Sequence, residues 1–185
     1  MEIKGTAVIA IRDYVKINFK EKYNEWVASL PEDSKQIYNN AIDSSKWYPL
    51  HFGGVLPTRK LADLFYKSDY KNGAWLSGNF SAEKALTGIY KIFVKASTPS
   101  YIVDRASRVF STYYRPCEML VISKKESSVL LQISQMTNSD EVIEYRIAGW
   151  IQKALEISGA GDIKISFPKS ITKGDTVTEM EISWE

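Results

Sequence analysis

Cysteine and histidine are nearly missing from this 185-residue chain: each occurs once, as Cys117 and His51. A lone cysteine excludes an intramolecular disulfide and any zinc site built from several thiolates, so a reducing, cytoplasmic compartment is the default expectation. A lone histidine means that a Ser-His-Asp or Cys-His mechanism would have to use His51. Its neighbours Leu50, Phe52, Gly53 and Gly54 do not form a nucleophile elbow, and the G-x-S-x-G pattern is absent. Long apolar runs are also missing. The longest near the start, Ala7 to Ile11, falls far short of the roughly 20 residues of a membrane helix, so neither a signal peptide nor a membrane span is expected. Nor is there an excess of charge of one sign, since 24 basic and 22 acidic side chains leave a net charge of +2. That balance predicts weak phosphate affinity and argues against nucleic-acid binding, although Arg105, Arg108, Tyr113, Tyr114 and Arg115 interleave basic and aromatic residues.

The remaining chemistries lack their parts as well. No G-x-x-x-x-G-K-[ST] loop occurs, and Gly159-Ala160-Gly161 follows a helical stretch where a dinucleotide fingerprint follows a strand. Those glycines read as a helix stop. Glu32-Asp33, Asp140-Glu141 and Glu179/Glu181 suit helix N-termini or a solvated strand face, and none forms an acid/base couple. Cys117 lies beside Glu118, whose charge raises a thiol pKa, so it reads as a small buried hydrophobe. No enzymatic activity, metal or cofactor is therefore expected.

What is present is the composition of an ordinary globular protein, 44% apolar, 12% aromatic and 25% charged, which fits one domain over 1–185. Charge is unevenly spread: residues 1–58 are neutral, 59–125 carry +7 and 126–185 carry −5. This reads as two parts of one fold facing each other, or as a basic surface for an acidic partner.

Residues 1–115 read as mainly helical. Val8, Ile9, Ile11, Val15 and Phe19 predict a helix over 6–20, Trp26, Val27 and Leu30 close a short second one, and Pro31 suits the first position of the next. Trp47-Tyr48-Pro49-Leu50 reads as extended, followed by a helix over 57–67. Ser81 is expected to cap a helix with Ala82, Ala85, Leu86, Ile89 and Phe93 inward, ended by Thr98-Pro99. Ile102, Ala106, Val109, Phe110 and Tyr113 form the stripe of another, with Arg105 and Arg108 opposite and Pro116 closing it. From 116 to 185 the period changes. Met119 to Ile122 and Val129 to Ile133 predict a hairpin. Ser139 or Asn138 caps a long helix with Ile143, Ile147, Trp150, Ile151, Ala154 and Leu155 inward, stopped by Gly159. Alternation at Ile163, Ile165 and Phe167, then at Thr178, Met180, Ile182 and Trp184, predicts two more strands. The fold class is α+β: a helical N-terminal part followed by a ββαββ unit with a small antiparallel sheet.

Lys4-Gly5-Thr6-Ala7-Val8, Trp47-Tyr48-Pro49, Gly88-Ile89-Tyr90, Thr98-Pro99, Tyr113-Tyr114, Ala148-Gly149-Trp150 and Ile182-Ser183-Trp184 resemble, in order and spacing, an uncharacterised bacterial family. That family is grouped with the haem nitric-oxide-binding domains, the 4-vinyl reductase domains and the TRAPP vesicle-tethering subunits. The resemblance implies an α+β domain with a helical N-terminal part and a small sheet. It also implies two readings of function: a small-molecule or lipid-binding sensor module with an apolar pocket, or a ligand-free scaffold that dimerises and docks protein partners. The relatives' haem chemistry transfers poorly. Their Y-x-S-x-R motif, which grips the haem propionates, is matched by Tyr101 and Arg105 but has Val103 in place of serine, and His51 lies 50 residues upstream. The pocket is expected near Trp47, Tyr48 and Phe110, and the dimer surface on the helix over 82–94, through Ile89, Tyr90, Phe93 and Val94.

Overall fold

The computed structural model describes residues 1–86 and 98–185. The chain opens with a short strand, β1 (Glu2–Lys4), and runs directly into α1 (Gly5–Asn18). Two short helices follow, α2 (Tyr23–Ser29) and α3 (Glu32–Asn39), with Pro31 immediately before the second, one residue ahead of the position expected for it. Then come β2 (Trp47–Pro49), a π-helical turn (His51–Val55), α4 (Leu56–Phe65) and α5 (Tyr70–Ala85). After the undescribed residues stand α6 (Pro99–Ser111), β3 (Tyr114–Arg115), the hairpin β4 (Glu118–Lys125) and β5 (Ser128–Ser134), α7 (Glu141–Ile157), β6 (Lys164–Lys169) and β7 (Thr178–Ser183).

The four C-terminal strands form an antiparallel sheet in the order β4-β5-β7-β6. Register places apolar residues opposite one another, with Val129 facing Ile182, Leu131 facing Met180 and Ile165 facing Ile182. Because side chains alternate along a strand, Thr178, Met180 and Ile182 share one face, and all three are buried, as is Trp184 just beyond. That face meets α7: Thr178 donates to Glu144, and the rings of Tyr145 and Phe167 meet edge to face at 5.8 Å. Gly159, at φ +98°, ends α7 as expected.

Three expectations are corrected. Ser81 caps nothing. It lies inside α5, which begins eleven residues earlier under Asp69, whose carboxylate accepts the Asn72 N–H at 3.0 Å. Thr98 opens a helix, accepting the Tyr101 N–H, with Pro99 at the first helical position where its fixed φ is tolerated. Asp140, not Ser139 or Asn138, caps α7 through the Val142 N–H at 3.1 Å and also receives Arg59 of α4 at 2.9 Å. A small antiparallel sheet in the order β2-β1-β3 was not expected and ties the start of the chain to residues 47–49 and 114–115. The dimer surface expected on Ile89, Tyr90, Phe93 and Val94 lies outside the described residues.

Candidate functional site

The centre of the molecule is the crossing of α5 and α7. The buried face of α5 consists of Gly73, Ala74, Ser77, Gly78, Ser81 and Ala82, small residues at helical spacing. Small side chains let the two backbones approach until no Cβ fits between them. A Cβ on Gly78 would lie 2.1 Å from the Arg146 carbonyl oxygen, and one on Gly149 would lie 2.1 Å from that of Trp75. The contacts are reciprocal, and they place Arg146 against the wall of α5.

Arg146 is only 3% exposed, and its Nε and Nη1 have no hydrogen-bond partner among the described residues. Its nearest acidic relative in sequence, Glu144, stands two residues away and therefore about 200° around the helix, where it accepts from Ser170 at 2.7 Å, Thr172 at 2.9 Å and Thr178. Arg146 instead borders a cavity of about 10 Å³ lined also by Ala7 of α1, Gly78 and Ser81 of α5, Phe110 of α6, Tyr113 and Tyr114, and Ile147 and Trp150 of α7, and its charge acts on Tyr114. Trp150 Nε1 is a second buried donor without a partner among the described residues. Phe110 closes the cavity through ring contacts, 6.0 Å from Trp150 and 6.4 Å from Tyr114. Burial raises the pKa of both Tyr113 and Tyr114, keeping their hydroxyls protonated as further donors. The wall thus contains a permanent cation and hydroxyl and N–H groups and, among the described residues, no carboxylate.

Of the residues expected to line a pocket, only Phe110 lies here. Trp47 sits on the small sheet between two cations, with Lys4 Nζ 4.8 Å and Arg115 Cζ 4.3 Å from its ring. Tyr48 packs near Gly53, and its hydroxyl accepts the Asp43 N–H at 2.9 Å. His51 is exposed on the π-helical turn, its ring 5.2 Å from that of Phe52. Tyr101 and Arg105, four residues apart on the exposed side of α6, stack on each other with the guanidinium 3.6 Å from the ring centroid, while Val103 turns inward and is buried. Burial and Glu118 push the Cys117 thiol up to about 11, the expected direction. Among the described residues no group of three His, Cys, Asp or Glu side chains could hold a metal, and no helix is long and apolar enough to cross a membrane. Sequence reading missed Arg146 because a charged residue on a mixed helix normally faces water. The available signal was the small-residue spacing of 73–82 together with Ala148-Gly149.

No protein-family model matches the chain, and no curated protein matches it by sequence. Solved structures do match it over nearly its full length. An H-NOX protein from S. oneidensis in the Fe(II)NO ligation state superposes with a TM-score of 0.75 at 15% identity, covering 99% of each chain. The Fe(II) unliganded H-NOX protein from K. algicida gives 0.73 at 13% identity over 99% of this chain and 97% of that one. A single-site mutant of the T. tengcongensis H-NOX gives 0.69 at 11% identity over 99% and 98%. At these identities the likeness is one of architecture: helical N-terminal region, antiparallel four-stranded sheet and long central helix together make the α+β fold of the haem-NO/oxygen-binding (H-NOX) domains.

Proposed function

We propose that this chain is a non-enzymatic sensor module that binds a small molecule between α1, α5, α6 and α7, and does so without haem. The observation that carries the reading is that two residues lining one interhelical cavity, Arg146 and Trp150, have buried donors without partners among the described residues: Nε and Nη1 of the first and Nε1 of the second. Buried polar groups are almost always paired within a protein, so donors left open along a cavity form a surface suited to a ligand.

Haem, which the fold family implies, does not fit the residues present. The single imidazole is exposed and does not line the cavity, the Tyr101–Arg105 pair is engaged with itself on the surface, and Val103 supplies no hydroxyl. The cavity of about 10 Å³ is also small beside the roughly 300–1,000 Å³ of ordinary cofactor pockets. The same size disfavours a lipid chain at this place. Native mass spectrometry of protein purified from its own source tests the reading: one bound nonprotein mass per chain is expected, and a bare chain that also takes up no added small molecule overturns it. Added haem is expected to give no stoichiometric Soret band, and a band that disappears in His51→Ala overturns the haem-free assignment.

One observation favours a second reading, a ligand-free scaffold that dimerises or docks other proteins. Leu120, Val121 and Ile122 are exposed in succession on β4, an edge strand of the larger sheet. Exposed apolar edges invite pairing with another chain. Light scattering that gives the monomer mass across micromolar concentrations overturns the homodimer.

A further inference from the structure

We infer that the ligand of the interhelical cavity is a small monovalent anion of one to three heavy atoms, with the size and charge of chloride or formate, held by Arg146 and the indole N–H of Trp150. The inference rests on the ligand-binding reading above and names the chemical class. Three observations converge on it. Charge comes first: Arg146 carries the guanidinium cation of every arginine, is 3% exposed as a residue, and lines a cavity that has no acidic side chain among the described residues. A buried charge without a counter-charge is costly, and an anion beside it removes that cost. The second is the donor set. Trp150 Nε1 is buried and has no partner among the described residues, Ser81, Tyr113 and Tyr114 line the same cavity, and an indole N–H and hydroxyls are groups that can donate to an anion. Glu144, the carboxylate nearest in sequence on α7, is engaged by three hydroxyls on the far side of the helix. Size is the third. A cavity of about 10 Å³ holds roughly one water-sized species, which admits a halide or an oxyanion of three heavy atoms with slight relaxation. Sulfate and phosphate are larger, and their second charge has no partner here. A metal cation is repelled.

Chloride and formate represent the inorganic and carboxylate sources of the same chemistry, and one experiment separates them. The full chain is equilibrated in sodium gluconate, whose anion is too bulky for the cavity, and dialysed against radiolabelled chloride or formate at constant ionic strength while thermal melts are recorded in parallel. The expected result is uptake of one anion per chain, each anion displacing the other, with a saturable rise in Tm of about 3–6 °C at tenfold excess over Kd. Arg146→Met keeps the apolar stem and is expected to lower uptake at least tenfold. Trp150→Phe keeps a ring and loses one donor, and is expected to weaken uptake severalfold; it decides the matter if Arg146→Met does not fold. Formate preferred more than tenfold identifies a carboxylate, and chloride preferred more than tenfold identifies a halide. Absence of stoichiometric uptake by the natural chain, or unchanged uptake in both variants, overturns the inference. So does an affinity that climbs from formate through acetate to butyrate, because it removes the size limit. A neutral bound mass in native spectra with no anion exchange overturns this inference and leaves the sensor reading standing, whereas a bare chain with no exchange overturns both.

Discussion

On the side of α7 that faces the sheet, Glu144 is 3% exposed and accepts hydrogen bonds from Ser170, Thr172 and Thr178; on the side that faces the helices, Arg146 is equally buried, and its Nε and Nη1 have no partner among the described residues. One turn of one helix therefore carries two buried ionisable groups with opposite arrangements. The sheet side is completed by the protein itself, through hydroxyls contributed by β7 and the segment after β6. The helix side supplies a cation and neutral polar groups and, among the described residues lining the cavity, no carboxylate. A buried polar group whose partners come from the same chain contributes to folding, and one whose partners must come from outside is suited to binding.

This contrast is broken most severely from the sheet side. Glu144→Ala removes the common acceptor of three hydroxyls and leaves two of them, on Ser170 and Thr178, buried, so a loss of about 3–5 kcal/mol in urea melts is expected. A loss under about 1 kcal/mol would mean that the hydroxyls find other partners and that the two sides are alike. Next in size are Met180→Ala and Trp184→Ala, which hollow out the sheet face packed beneath α7. About 3 kcal/mol is expected for each, and losses below about half a kcal/mol in both would show the face assignment to be wrong. Gly78→Ala probes the helix side, where the new Cβ would meet the Arg146 carbonyl oxygen at 2.1 Å. Overpacking against backbone is expected to cost about 2 kcal/mol and to displace Arg146, which a change in Trp150 fluorescence would report. Arg146→Met has the smallest expected effect on stability. In gluconate it should be neutral or stabilising by about 1 kcal/mol, since it removes a buried charge and keeps its apolar stem. A loss above about 3 kcal/mol would make Arg146 a structural partner like Glu144.

Legibility in the sequence followed the same division. The ββαββ unit could be read because its strands alternate strictly, as at Thr178, Met180, Ile182 and Trp184, and because α7 carries large apolar residues at helical spacing from Ile143 to Leu155. The start of α5 was hidden because its buried face is written in glycine, alanine and serine, a periodicity of size that hydropathy does not register. β1 was hidden for a different reason: three residues hold no period, and their pairing is set by Trp47–Pro49 and Tyr114–Arg115, distant in sequence. Phe110 alone among the expected pocket residues reached the cavity. Trp47 and Tyr48 are aromatic, but aromatic character does not distinguish a cavity wall from a ring held between two cations. Arg146 was invisible because its burial comes from how closely α5 approaches, a tertiary fact fixed by Gly78 and Gly149.

The paired glycine contacts of α5 and α7 also have a mechanical meaning. Trp75 to Gly149 and Gly78 to Arg146 lie three residues apart on each helix, about 4.5 Å along the axis, so the helices are pinned at two neighbouring points. Any substituent at Gly78 or Gly149 would meet backbone, so the two contacts together fix how closely the helices approach. The cavity, with Gly78 and Ser81 on one helix and Arg146, Ile147 and Trp150 on the other, lies beside these contacts, so its width follows from how closely the two backbones meet. The start of α7 is in turn bolted to α4 by the grip of Arg59 on Asp140. The cavity is thus dimensioned by two residues that have no side chains, Gly78 and Gly149.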